Sequence, residues 1–139
     1  MIRTPDFSKN PDGLLPVIVQ DAVTKNVLMQ AYMNQEALEK TISTKQAHYY
    51  SRSRECLWHK GATSGLIQDV KNIFIDDDQD CVWLNVIVRG EASCHVGYKS
   101  CFYREIDTSS KQLELKFIEE EKIFDPEEVY GDAPNPTIL

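Results

Sequence analysis

The chain is short of positive charge and of long apolar runs, and each shortage excludes something. Lysine and arginine number 15 against 22 aspartates and glutamates, giving a formal net charge of −7 and a pI near 4.9. A chain of that sign repels phosphate backbones, so no nucleic-acid partner is expected. A small anionic substrate would need a local cluster of cations or a bound metal. No apolar stretch approaches the ~20 residues of a membrane span, so no membrane partner is expected either. Residues 1–6 hold no apolar signal core, which makes the cytoplasm the expected compartment. In that compartment the four cysteines, at 56, 81, 94 and 101, read as thiols or metal ligands and not as a disulfide framework. Internal repeats, low-complexity tracts and Gly/Ser linkers are also absent. With 139 residues, 42% of them hydrophobic, the chain suits one domain spanning 1–139 with a core of its own.

What is present reads as many short strands and one helix. Residues 1–13 are polar, with Pro5, Pro11 and Gly13, and read as a loose N-terminal arm. Residues 14–20 (LLPVIVQ) are apolar and β-branched. Residues 26–33 (NVLMQAYM) read as their hairpin partner across a turn at Thr24-Lys25-Asn26. Asn34 reads as the N-cap of a helix over 35–45, with Ala37, Leu38, Thr41 and Ile42 at helical spacing. Residues 47–53 alternate and are aromatic, as a strand does, and 59–65 form a glycine-bounded loop. Strand-like runs at 66–75 and 81–88 flank an acidic stretch, and 102–106 and 113–118 complete the set. Residues 124–139, with three prolines, read as a surface tail. The expectation is a β-dominated α+β domain, a short-stranded folded sheet or pseudobarrel with one main helix. The strand order stays open.

Three groups of residues carry chemistry. In Asp76-Asp77-Asp78-Gln79-Asp80, the carboxylates of Asp76, Asp78 and Asp80 share a face if the segment is extended. Such crowding is relieved by a hard cation, and an oxygen-only set favours magnesium or calcium over zinc. The plain alternative is a solvated acidic turn. In Cys94-His95-x-Gly97-x-x-Ser100-Cys101, two thiols seven residues apart around a glycine suit zinc, with further ligands drawn from elsewhere. The alternative is a pair of small buried hydrophobes beside a surface histidine. In Ser51-Arg52-Ser53-Arg54 and Trp58-His59-Lys60-Gly61-Ala62-Thr63-Ser64-Gly65, cations, hydroxyls and glycine-rich backbone are what a phosphate site uses. The P-loop pattern GxxxxGK[ST] is absent, and an ordinary polar strand end remains the alternative.

The stretches AYMNQEAL, YYSRSRECLWHKGATSG, DDDQD and CHVGYKSCFYR occur in an order and at spacings that resemble the phosphoribosyl-AMP cyclohydrolase family. The resemblance runs from about Leu14 to Arg104, with an echo at FDPEEVYGD near the C-terminus. It implies hydrolytic opening of the adenine ring of 1-(5-phosphoribosyl)-AMP at the N1–C6 bond, a step of histidine biosynthesis. It also implies an intertwined homodimer, with magnesium (Mg2+) on Asp76, Asp78 and Asp80 and zinc (Zn2+) on Cys94 and Cys101 across the subunit interface. The family usually reads Asp-Cys-Asp-x-Asp, its central cysteine being the third zinc ligand. Here that position is Asp77, so either Asp77 replaces the thiolate or nearby Cys81 takes over, and the register favours Asp77. The family's KGExSGH is KGATSGL here, so Ala62 and Leu66 lack a carboxylate and an imidazole.

In the mechanism so implied, zinc-activated water attacks the ring carbon and His95 transfers the proton. Arg52, Ser53, Lys60, Thr63, Ser64 and Arg104 are the expected substrate-binding residues, holding phosphate with the help of magnesium. Two other readings compete. A zinc deaminase or other purine nucleotide amidohydrolase would ordinarily show HxE…PCxxC, which is absent. A non-catalytic zinc-stabilised module would leave the aspartates and the cation loop without a purpose.

Overall fold

The computed structural model of the chain describes residues 4–90 and 98–118. Strand β1 (Leu15–Asp21) runs antiparallel to β2 (Val27–Met33) as a hairpin, closed by Asp21, whose carboxylate accepts the N–H groups of Val23 and Thr24 at 2.8 Å. After β2, Asn34 caps helix α1 (Gln35–Thr44), its side-chain oxygen accepting the Ala37 N–H at 2.8 Å. Lys45 ends the helix in the left-handed region, with φ 62°. Next come β3 (His48–Ser51), β4 (Cys56–His59), β5 (Gln68–Ile75), β6 (Val82–Val88), β7 (Arg104–Ile106) and β8 (Leu115–Phe117). The main sheet has the order β2-β1-β6-β5, with β1 and β6 parallel, and β3–β4 and β7–β8 form two small antiparallel sheets. This is the β-dominated α+β class with one main helix.

Alternation decides which side of the sheet is core. Leu15, Val17 and Val19 of β1 and Val82, Leu84 and Val86 of β6 point inward and are buried. They meet Met29, Ala31 and Met33 of β2, Ala37 and Leu38 of α1, and Tyr49 of β3. The opposite face is apolar yet open: Ile18 stands beside Trp83, which stands beside Phe74, each about two-fifths exposed. Ile42, expected on the inner face of the helix, is 53% exposed. It lies one residue, about 100°, beyond buried Thr41 and so reaches the rim of the stripe.

Strand β4 was not expected. Four residues, CLWH, are too few to display alternation, and the reversal before them rests on Glu55 at φ 52°. The larger difference is the acidic stretch, which is a tight turn and not an extended segment. Gln79 donates its N–H to the Asp76 carbonyl at 3.1 Å and sits at φ 63°, while Asp76 N–H bonds back to the Cys81 carbonyl at 3.1 Å. The side chains of Asp76, Asp78 and Asp80 are therefore not ranked on one face by period two, because the backbone reverses between them.

The start of the chain bears on that turn. Residues 7–9 form a 3-10 turn capped by Asp6, and Phe7 packs against the core. The Asp6 N–H donates to the Gln79 carbonyl at 2.7 Å, and Gln79 Nε2 donates to the Thr4 carbonyl at 2.9 Å. The tail at 124–139 lies outside the described residues.

Candidate active site

The acidic turn presents its carboxylates outward, with Asp76, Asp77 and Asp78 all exposed. One oxygen of Asp76 accepts the N–H groups of Asp80 at 3.0 Å and Cys81 at 3.1 Å. Those bonds, the Asp80 N–H foremost, hold its carboxyl below the ordinary carboxylate value. Burial, and then the charges of Asp76 and Asp80, push the half-buried Cys81 thiol up. Below the turn, Cys81 and Asp76 line a groove of about 340 Å3 that continues between Trp83, Phe74, Ile18 and Val27.

Among the described residues, no three His, Cys, Asp or Glu side chains are gathered closely enough to hold a metal ion. Asp76, Asp78 and Asp80 are thus neighbours on one turn without forming a closed cage. Their chemistry does fit a hard cation, and one observation supports the fit. The Lys9 ammonium lies 3.6 Å from Asp80 Oδ2 and donates to the Asp78 carbonyl oxygen, standing where positive charge is wanted. Of the zinc set, Cys94 lies outside the described residues, as does His95. Cys101 is half-buried and wedged between the core and the Tyr98–Tyr103 pair, with its N–H on the Leu28 carbonyl at 2.6 Å. Cys101 also stands near the Tyr49 hydroxyl, whose pKa is raised mainly by burial and then by the cysteine. Thiol and carboxylate donors suit zinc chemically, and among the described residues Cys101 and Cys81 belong to no cluster of three such donors.

The expected phosphate residues divide into two groups. Arg52 and Ser53 lie in the β3–β4 turn, where the Arg52 guanidinium stacks 4.0 Å over the Tyr32 ring. Lys60 lies past the open end of the same hairpin, so the whole four-pair ladder from Ser51↔Cys56 to His48↔His59 separates them. At ~3.3 Å per residue that is about 10 Å of backbone between them. Lys60 is 1% exposed, with Nζ 5.2 Å from the Trp58 ring centroid.

The loop beyond Lys60 closes on itself, Gly65 N–H bonding to the Gly61 carbonyl at 2.8 Å and Leu66 N–H to Ser64 Oγ at 3.2 Å. Gly61 has φ 92°, and a Cβ there would stand 2.4 Å from the Ile67 nitrogen, so only glycine fits. Thr63 and Ala62 are exposed on this loop. Leu66 is buried and packs so closely beneath Gly90 that a Cβ on Gly90 would meet its Cδ2 at 2.4 Å. It serves as packing where the family pattern has an imidazole. Arg104, on β7, lies 5.0 Å over the Tyr103 ring.

Two features of the site region went unforeseen. His48 and His59 stack across β3–β4 with centroids 4.4 Å apart, each bonded to Gln46 at 2.8 Å. Recognising β4 would have revealed this pair. Lys9 carried no signal, since 69 residues separate it from Asp78.

Comparison with known proteins now decides the family. A family model described as Phosphoribosyl-AMP cyclohydrolase matches residues 29–103. The chain belongs to this family. A phosphoribosyl-AMP cyclohydrolase of Nitratidesulfovibrio vulgaris is 53% identical over 126 residues, covering 91% of this chain and 95% of the relative. Those of Oleidesulfovibrio alaskensis and Chloroherpeton thalassium are 51% and 52% identical, over 91% of this chain and 92% and 86% of theirs. The chain is accordingly an enzyme, a hydrolase of histidine biosynthesis. No helix among the described residues is long and apolar enough to cross a membrane.

Proposed function

We propose that this chain opens the adenine ring of 1-(5-phosphoribosyl)-AMP by hydrolysis, using zinc and magnesium, to give the phosphoribosyl-formimino aminoimidazole carboxamide ribonucleotide. The observation that carries the reading is the agreement along 91% of the chain with relatives of that name. Water adds its oxygen to C6, the N1–C6 bond breaks, and the exocyclic amine stays on C6 as the carboxamide nitrogen.

Asp76, Asp78 and Asp80 are the proposed magnesium ligands, an all-oxygen set suited to a hard cation. Cys94, Cys101 and Asp77 are the proposed zinc ligands, with Cys81 the alternative to Asp77. Placement favours Asp77, which is exposed in the turn, whereas Cys81 sits half-buried at its base. When bound, zinc supplies a water acidic enough to act as nucleophile near neutral pH. His95, next in sequence to Cys94, is the proposed carrier of the proton to the departing ring nitrogen.

The substrate has a phosphate on each of its two riboses, and the two separated cation groups support one site for each. Arg52 with Ser53 would take one, and Lys60 with Thr63 and Ser64 the other, with Arg104 as a further cation. A homodimer is part of the proposal. The open apolar sheet face supports it, as do Ile106, Leu115 and Phe117 of the β7–β8 ribbon, all more than half exposed. A two-stranded ribbon needs a further layer to be stable in water.

Incubating the purified protein with phosphoribosyl-AMP tests the function. Ring-opened product without ammonia release is expected. Release of ammonia would mark a deaminase instead, and absence of turnover would contradict the reading.

A further inference from the structure

The cation on the acidic turn comes from the far end of the sequence, and its position there is built. Phe7 anchors the 3-10 turn on the core, and Asp6 caps it by accepting the Ser8 N–H at 3.1 Å. Two uncharged hydrogen bonds, Asp6 N–H to the Gln79 carbonyl and Gln79 Nε2 to the Thr4 carbonyl, then set the arm in register with the turn. Lys9 follows from that register, its ammonium meeting the Asp78 carbonyl and, at 3.6 Å, Asp80. This clasp does not depend on the lysine's charge. Two jobs are therefore separable: Thr4 and Asp6 hold the shape of the turn, and Lys9 neutralises it.

We propose that Lys9 is the resident counter-cation of the acidic turn, a positioning residue that a divalent cation must displace from Asp80. This rests on the reading of Asp76, Asp78 and Asp80 as magnesium ligands. The Lys9 and Asp80 side chains are 37% and 35% exposed, so their pairing is weak and its loss costs little structure. A competitor of that strength lowers divalent-cation affinity by about two- to fivefold. Its effect fades as salt screens both cations. The clasp, which makes no use of the ammonium, would keep the arm on the turn when Lys9 is displaced.

The test is a manganese titration of the full-length protein, with free Mn2+ read by its electron paramagnetic resonance signal. Lys9→Met and Lys9→Gln should each bind Mn2+ about two- to fivefold more tightly than the unaltered chain at low salt. Lys9→Arg should match the unaltered chain, and the difference should shrink at high salt. In an Asp80→Asn background Lys9→Met should have a smaller effect, since the carboxylate the two cations share is gone. Equal or weaker Mn2+ binding by both neutral variants would overturn the assignment of Lys9. If the unaltered chain has no Mn2+ site that Asp80→Asn weakens, the magnesium reading fails and the proposal with it. A site lost in Asp80→Asn but indifferent to Lys9 overturns this proposal alone.

Discussion

The acidic turn after β5 and the glycine loop after β4 meet opposite electrostatic demands. The turn carries Asp76, Asp77, Asp78 and Asp80, leaves most of that charge in solvent, and is steadied by hydrogen bonds from a distant arm. The loop buries its cation, Lys60, and is closed by its own backbone around a glycine with no room for a side chain. The geometry of the loop is thus fixed from within, whereas the charge of the turn has to be met from outside. Changes to the backbone of the loop should cost folding, and changes to the carboxylates of the turn should cost ligand binding and leave folding nearly intact.

The largest effect is expected at Gly61. Gly61→Ala forces a Cβ to 2.4 Å from backbone at φ 92°, and should cost about 3 kcal/mol or more. The urea midpoint reads this, and an unchanged midpoint would show that the loop is not fixed from within. Asp78→Asn makes the contrast: turnover should fall about 100-fold or more, with stability within about 0.5 kcal/mol. A large loss of stability would place the turn in the same class as the loop.

Within the turn, Asp77→Ala should lower zinc content and abolish turnover, while Cys81→Ala costs mainly packing at the base of the groove. Elemental analysis of both variants decides, and zinc lost only from the Cys81 variant would make Cys81 the ligand. In the loop, Lys60→Met keeps the buried stem and removes the charge. It should lower kcat/KM about tenfold, chiefly through KM.

The smallest effect concerns the hairpin between the two cation groups. Burial, then the neighbouring His48, holds the His59 pKa below its ordinary value of 6.5. The folded state thus favours neutral His59. Its contribution to stability is complete above that ordinary value and is lost as pH falls through the lowered one. Melting temperature should drop between neutral and mildly acid pH, and His59→Gln should make that drop smaller. An identical pH profile in the variant would remove the pair from the account.

Much of the fold was legible, and the reasons are particular. Strands β1, β5 and β6 are long enough for apolar and β-branched runs to stand out, and Asn34 announced the helix by its capping chemistry. Strand β4 was too short to show a period, so the His48–His59 pair stayed hidden. The acidic stretch was found by composition, with its shape left open between an extended segment and a solvated turn, and it is the turn. Spacing alone cannot distinguish an extended segment from a turn, and the reversal depends on Gln79 adopting φ 63°. The phosphate residues were found as one sequence cluster and fell into two spatial groups, because the hairpin sends Arg52 and Lys60 to opposite ends. Lys9 was illegible, since nothing local marks a lysine whose partner lies 69 residues away.

The central claim is that the acidic turn and the cysteines proposed as zinc ligands serve metals, while the loop and hairpin serve the substrate. Turnover of phosphoribosyl-AMP by chelator-stripped protein tests it most directly, with zinc and magnesium returned singly and together. The account expects no activity in the stripped protein and full recovery only with both metals. Undiminished turnover by protein shown to contain neither metal would contradict it.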